Sequence, residues 1–187
     1  YEHLIFDGEH HSFAALCDWR AIGAVTIFSA SQSYAMMGWR VGFALAPREL
    51  VAAMETLQGP ITAAAPYISQ VAADAAFACG APPEMMLDYR ERRDLVVKLF
   101  ADVPWIAMPT PASGPYLWGD IRAITHDTVG FSEALLEQQR VALMPGDALG
   151  VPGFIRLGYI SDDVATLTEG VRRIIDFGNA FSRQSGQ

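Results

Sequence analysis

Hydroxyl and guanidinium groups recur at short spacing between residues 29 and 40, in the segment Ser-Ala-Ser-Gln-Ser-Tyr-Ala-Met-Met-Gly-Trp-Arg. Proteins bind a phosphate ester with hydroxyls, backbone N–H groups and a fixed cation. Ser29 and Ser31 can supply the hydroxyls, and the planar guanidinium of Arg40 can meet two phosphate oxygens at once. The segment is therefore either a binding site for a phosphorylated ligand or a strand, loop and helix with an incidental arginine.

Gln32 lies at the centre of this segment and limits the chemistry that it can perform. An amide nitrogen is delocalised into its carbonyl, so Gln32 can donate and accept hydrogen bonds but cannot condense with an aldehyde or act as a base. Of the 13 basic side chains only Lys98 is a lysine. Lys98 falls in a predicted helix and is interpreted as an exposed charge, so no amine is placed to act at position 32.

Two further positions, Tyr1 and Arg156, carry groups suited to binding. Arg156 lies in the apolar run Phe-Ile-Arg-Leu-Gly-Tyr of residues 154–159, and an arginine in an apolar strand needs an anionic partner. That partner is either a bound carboxylate, gripped through two parallel hydrogen bonds, or an internal Asp or Glu. Tyr1 is either an ordinary aromatic residue or a hydroxyl group of the same site.

The segment of residues 29–40 resembles the cofactor-anchoring segment of class I/II aminotransferases, which are fold-type I enzymes dependent on pyridoxal 5'-phosphate (PLP). In that family a lysine that forms the Schiff base with the cofactor stands where this chain has Gln32. The resemblance extends to four other stretches, residues 1–8, 114–118, 141–150 and 154–159. It implies cofactor-binding roles for Tyr1, Ser29, Ser31 and Arg40, the catalytic position for Gln32, and substrate α-carboxylate binding for Arg156.

The resemblance implies a C-terminal portion of an enzyme that exchanges an amino group between an amino acid and a 2-oxo acid. We expect the chain to be inactive as written, because Gln32 replaces the lysine, and PLP to bind without a covalent bond at best. The family further implies a homodimer and an N-terminal half, supplied by the same protein or by a partner chain. Two alternatives remain open: a non-catalytic pseudoenzyme or scaffold of this fold, and the ligand-sensing domain of a transcription regulator.

The pattern of elements predicts an α/β fold. Residues 1–80 are expected to form the C-terminal part of the PLP-binding large domain, with a parallel-rich sheet, and residues 81–187 a small α+β domain; the break is the Gly-Ala-Pro-Pro stretch after Cys79. The predicted strands cover residues 1–7 (a strand end), 24–29, 41–46, 114–121, 141–145 and 154–160. The predicted helices cover residues 47–57, 67–79, 84–101, 131–139 and 162–177.

Composition indicates a globular chain and argues against several function classes. The sequence is 51% hydrophobic and 18% charged, with a mean hydropathy of +0.20. A net charge of −8 with dispersed basic residues argues against nucleic-acid binding, and no apolar run is long enough to span a membrane. Cys17 and Cys79 match no metal or redox spacing, which favours a reducing cytoplasm. Adjacent His10 and His11 are interpreted as a solvated turn, and no metal site is expected.

Overall fold

The computed structural model describes residues 1–160 and 163–185. Helices and strands are mixed along the chain, so the predicted α/β class is confirmed. In order, the elements are α1 (Phe13–Leu16), β1 (Thr26–Ser29), α2 (Ala30–Ser33), β2 (Gly42–Leu45), α3 (Arg48–Thr62), α4 (Tyr67–Cys79), α5 (Pro83–Phe100), β3 (Tyr116–Asp120), α6 (Thr128–Gln139), β4 (Met144–Pro145), β5 (Phe154–Gly158) and α7 (Val164–Ser185), with 3-10 turns at Met37–Trp39 and Gly146–Leu149.

The chain divides into two compact units, Tyr1–Met86 and Leu87–Gln187. The division falls inside α5, slightly beyond the boundary expected between residues 80 and 81. Gly80 ends α4 with a φ of 79°, in the region that favours glycine, and Pro83 begins α5. The assignment of the first part to a PLP-binding domain and of the second to a small domain stays a prediction.

The first unit contains a two-stranded sheet in which β1 and β2 run antiparallel, with Thr26 opposite Leu45 and Ser29 opposite Gly42. The expectation of two buried parallel strands here is wrong, and every strand pair among the described residues is antiparallel. For two consecutive strands to pair in parallel, the connection between them must cross over the sheet and pack against it. Residues 30–41 instead form α2 and a 3-10 turn, so the chain comes straight back along β1.

Residues 1–7 were expected to end a strand, but the chain turns there, and the N–H of Leu4 donates to the carbonyl of Tyr1 at 2.8 Å. Helix α3 also departs from expectation, because it continues through Gly59 and Pro60 to Thr62. A proline deletes one backbone hydrogen bond, and the last turn of a helix tolerates that loss since few bonds follow it.

Ring contacts connect the elements of the first unit. His3 meets Tyr34 edge-on at 5.5 Å between ring centroids, Tyr34 meets Phe77 at 5.2 Å, Phe77 meets Phe43 at 5.4 Å, and Phe43 stacks on Phe28 at 4.9 Å. These separations are typical of favourable aromatic pairs. We call these five residues the aromatic row; it joins the first turn, the end of α2, α4, β2 and β1.

The second unit has a three-stranded antiparallel sheet in the order β3-β5-β4, and β4 is shorter than predicted. Its buried side chains come from the sheet, α5, α6 and α7. Of the five apolar positions expected to line the buried face of α7, Leu167, Val171 and Ile174 are buried, Ile175 is partly buried and Val164 is 51% exposed. The predicted start of this helix at Asp162 lies outside the described residues, and the helix ends at Ser185 rather than near Phe177.

Two glycines of α7 provide a matched test of this packing. A Cβ on Gly178 would overlap the ring of buried Trp105, whereas a Cβ on Gly170 meets no atom within 4 Å among the described residues. We expect Gly178→Ala to lower the free energy of unfolding by about 1–3 kcal/mol, because the core must shift. Gly170→Ala should be neutral or raise it by about 0.5–1 kcal/mol, because alanine favours helix. Equal effects of the two substitutions in urea denaturation would contradict this packing.

Candidate functional site

The junction of β1 and α2 positions the residues at which the sequence predicts chemistry. Ser29 ends the strand in an extended conformation, and its Oγ accepts a hydrogen bond from the N–H of Ser31 at 3.1 Å, which caps α2. Ala30 is fully buried, so the junction is anchored in the unit. Gln32 is consequently presented on a single turn of helix and is half-buried.

A cleft of about 290 Å³ opens beside this junction and is lined by Tyr1, Ser29 and Gln32. The structure therefore brings together three of the predicted site residues, two of which are 31 positions apart in the chain. The volume lies near the lower end of the range for small-molecule sites. Six other polar residues also line the cleft: Glu2, His10, His11, Ser12, Thr26 and Ser33.

Ser31 and Arg40 do not line this cleft. Ser31 is buried and contributes its backbone N–H to the helix cap. Arg40 is exposed, its backbone is left-handed with a φ of 51°, and its Nη1 donates to the carbonyl of Met37 at 2.9 Å. That bond engages one of five guanidinium donors, so the side chain retains the capacity to bind an oxyanion.

Glu2 is the charged group held most firmly in the cleft. Its Oε1 accepts a hydrogen bond from the hydroxyl of buried Ser33 at 2.9 Å. Burial raises the pKa of the Glu2 carboxyl, whereas hydrogen bonds from its own backbone N–H and from the hydroxyl of Ser33 lower it, and the pKa lies below its usual value. Glu2 is therefore a carboxylate at neutral pH.

Arg156 belongs to the second unit, on β5, where it pairs in register with Trp118 and Met144. The side chain is half-buried, and its guanidinium carbon lies 4.4 Å from the ring centroid of Tyr116. Among residues 1–160 and 163–185 it forms no ion pair with an Asp or Glu. The guanidinium therefore keeps its capacity for a carboxylate, and the predicted role stays open.

The sequence interpretation did not predict that the two histidines contribute to the site. His10 and His11 are exposed, as expected of a solvated turn, but both also line the cleft that contains Gln32. Their position depends on how the loop before α1 folds back against β1, and no periodic pattern encodes that return. In the part of the chain that the structure describes, no three metal-binding side chains cluster.

The second unit has a larger cavity, of about 520 Å³, lined by Asp120, Arg122 and His126 among others. The guanidinium of Arg122 donates to both carboxylate oxygens of Asp120, and these hydrogen bonds lower the pKa of Asp120 to about 2. The charges of Arg122 and Asp120 are therefore already paired with each other. The cleft of the first unit therefore remains the better candidate for ligand binding.

Comparison with known proteins decides the family. Residues 1–174 match the family model for aminotransferase class I and II. The chain belongs to this family. Membership implies PLP as the cofactor, and the chemistry of this family is amino-group transfer.

The individual proteins to which this chain is similar are also aminotransferases. The arginine–pyruvate transaminase of Pseudomonas aeruginosa is 38% identical, and an aspartate aminotransferase of Streptomyces avermitilis is 33% identical, each over 93% of this chain. The crystal structure of an aspartate aminotransferase from Thermotoga maritima superposes with a TM-score of 0.84 at 31% identity, over 96% of this chain. The chain spans 45–46% of the length of these aminotransferases.

Among the described residues, no helix has both the length and the apolar character needed to cross a membrane. Cys17 is half-buried and Cys79 exposed, and both are free thiols.

Proposed function

We propose that this chain is the C-terminal portion of a PLP-dependent amino-acid aminotransferase and that, as it stands, it does not catalyse transamination. One observation carries the proposal: a half-buried glutamine, Gln32, lies beside Tyr1 and Ser29 in the cleft of an aminotransferase-family chain. PLP, when bound, supplies an electron sink for amino-acid chemistry, but the protein must supply an amine base. Gln32 has none to offer.

The residues of the cleft suit a phosphorylated pyridine held without a covalent bond. The hydroxyls of Tyr1 and Ser29 and the amide of Gln32 offer hydrogen bonds to its polar substituents. Ser31 and Arg40, on the same segment, are proposed to bind its phosphate, Arg40 as the cation. Arg156 is proposed to grip the α-carboxylate of an amino acid or 2-oxo acid.

A non-catalytic role on the same fold is the second candidate, and Lys98 favours it. This residue is the only lysine of the chain, and it is exposed in the last turn of α5. Among the described residues that line the cleft with Gln32, none carries a lysine amine. A ligand-binding protein or scaffold needs no such amine.

The partners that we propose are the N-terminal half of the aminotransferase architecture and a second copy of the protein. The relatives' greater length supports the first partner. Exposed apolar side chains at the end of α3 and in α4 support the second, because large apolar groups in water mark interaction surfaces. We call them the α3–α4 group: Leu57, Ile61, Tyr67, Ile68 and Val71. The free thiols of Cys17 and Cys79 fit a cytoplasmic setting.

The first test asks whether PLP bonds to the chain. The full chain is incubated with PLP, reduced with borohydride, digested and examined by mass spectrometry. We expect no adduct on the peptide that contains Gln32, because an amide cannot condense with an aldehyde. Gln32→Lys should produce a reducible adduct there. Lys98→Arg removes the remaining lysine side chain and controls for surface labelling. A specific adduct in the unsubstituted chain, within the cleft, would refute the proposed inactivity.

The second test concerns the phosphate. Arg40→Ala should weaken binding of pyridoxamine 5'-phosphate by about tenfold or more and leave binding of unphosphorylated pyridoxamine unchanged, because a charge-assisted hydrogen bond is lost. Arg48→Ala, on an exposed arginine at the start of α3, is the matched control and should change neither affinity. Equal losses for both ligands in calorimetry would exclude the phosphate role.

The third test concerns the second copy. Ile61→Glu places a charge within the α3–α4 group and should raise the dimer dissociation constant at least tenfold, because a buried unpaired charge is costly. Leu136→Glu, on an exposed leucine of α6, is the control and should leave it unchanged. Sedimentation velocity measures both. A monomeric parent protein, or a dimer indifferent to Ile61→Glu, would rule out this interface.

A further inference from the structure

Two side-chain contacts join the first turn of the chain to the end of α2, and the partners have the same separation in sequence in both. The hydroxyl of Ser33 donates to Oε1 of Glu2 at 2.9 Å, and the Oη of Tyr34 lies 3.5 Å from Nε2 of His3. Both pairs are separated by 31 positions. The preceding pair in the same register is Tyr1 and Gln32, and both of these residues line the cleft.

The Glu2–Ser33 bond has the properties of a strong contact. Ser33 is 1% exposed, and the carboxylate of Glu2 is half-buried and ionised at neutral pH. A hydroxyl that donates to a charged oxygen away from water makes a stronger bond than a neutral pair in water. Beside it, Tyr34 is held between His3 and Phe77 by edge-on ring contacts.

Neither joined segment is held by regular structure of its own. The first residues form a turn, and α2 has four residues, whereas an isolated helix of a single turn is unstable. A hydrogen bond within either segment cannot set the distance between them. Burial of Leu4 and Phe6 anchors the first turn, and the contacts of Glu2 and His3 join it to the end of α2.

We propose that Glu2 and Ser33 are positioning residues that hold Tyr1 opposite Gln32 at the cleft. We call this pair the Glu2–Ser33 clamp. The identity of the ligand rests on the proposed function, because that proposal assigns Tyr1 and Gln32 to the binding of the cofactor. The clamp itself is a property of the folded chain and can be tested without any ligand.

The first measurement is amide hydrogen exchange in the full chain. The reporters are the N–H of Leu4, bonded to Tyr1, and the N–H of Tyr34, bonded to Ala30. Ser33→Ala and Glu2→Gln should each accelerate exchange at both reporters by about tenfold or more, because either change removes the charge-assisted bond. Ser33→Thr keeps the hydroxyl and should retain the slow exchange of the parent.

The double variant Glu2→Gln/Ser33→Ala separates a clamp from two unrelated contributions. Because both partners act through one bond, the double variant should exchange no faster than the faster single variant. If the acceleration of exchange in the double variant equals the product of the two single accelerations, each residue acts alone, and the clamp is overturned. Circular dichroism and thermal unfolding verify that each variant is folded, and Glu2→Gln, with Ser33→Thr as its parent-like control, supplies the conclusion if Ser33→Ala is not.

The second measurement uses pyridoxamine 5'-phosphate as the probe. Its dissociation constant should rise about tenfold in Ser33→Ala and Glu2→Gln and return to the parent value in Ser33→Thr, since the hydroxyl restores the spacing of Tyr1 and Gln32. If the two residues only stabilised the fold, all three variants would lose stability, and Ser33→Thr would not restore the affinity for the probe.

The two measurements keep the inferences distinct. If the parent chain does not bind the probe, the proposed function fails, and hydrogen exchange alone decides the clamp. Unchanged exchange in Ser33→Ala and Glu2→Gln overturns the clamp whatever the probe does. Accelerated exchange with unchanged probe affinity shows that the contact exists but does not position the ligand, which also overturns the proposal.

Discussion

The first unit depends on the aromatic row, because its buried core is small. Among the described residues its buried apolar side chains are Leu4, Phe6, Ala30, Met36 and Ala73. Five side chains, two of them alanines, bury too little apolar surface to order a turn, a one-turn helix and a two-stranded sheet. The aromatic row links all of these elements, and the Glu2–Ser33 clamp lies beside its first contact. The geometry of the cleft follows from these two sets of contacts.

The two units differ in how completely they bury their apolar side chains. The second unit has its own core, drawn from three helices and a sheet, with Phe131, Leu135 and Val171 almost fully buried. The first unit leaves large groups such as Ile27 and Tyr67 about 80% exposed. The α3–α4 group, which includes Tyr67, is assigned to the proposed contact with a second copy, and the proposed N-terminal half would cover groups such as Ile27. The candidate site lies in the unit that has most to gain from that cover.

Sequence reasoning was accurate where short-range periodicity is strong. Helices α4 and α5 lie close to their predicted bounds, and α7 buries three of its five predicted apolar positions, with Val164 exposed at its start. It failed where an element is defined by what lies beside it. The run from Ala24 to Ser29 has the composition of a buried parallel strand, yet it pairs antiparallel and is half-exposed. Apolar content describes a strand's capacity to be buried, whereas pairing direction depends on the path of the connecting segment.

By itself, the sequence determined the family and the chemical limit at Gln32. An amide lacks a basic nitrogen in any fold, so this limit follows from residue identity alone. Only the tertiary structure decided that Tyr1 and Gln32 share a cleft with His10 and His11, and that Arg40 lies outside its lining. These juxtapositions arise from loop closure and from packing between residues that are distant in the chain. The free energy of such contacts depends on which distant residues meet when the chain folds. Local composition and spacing carry no information about that.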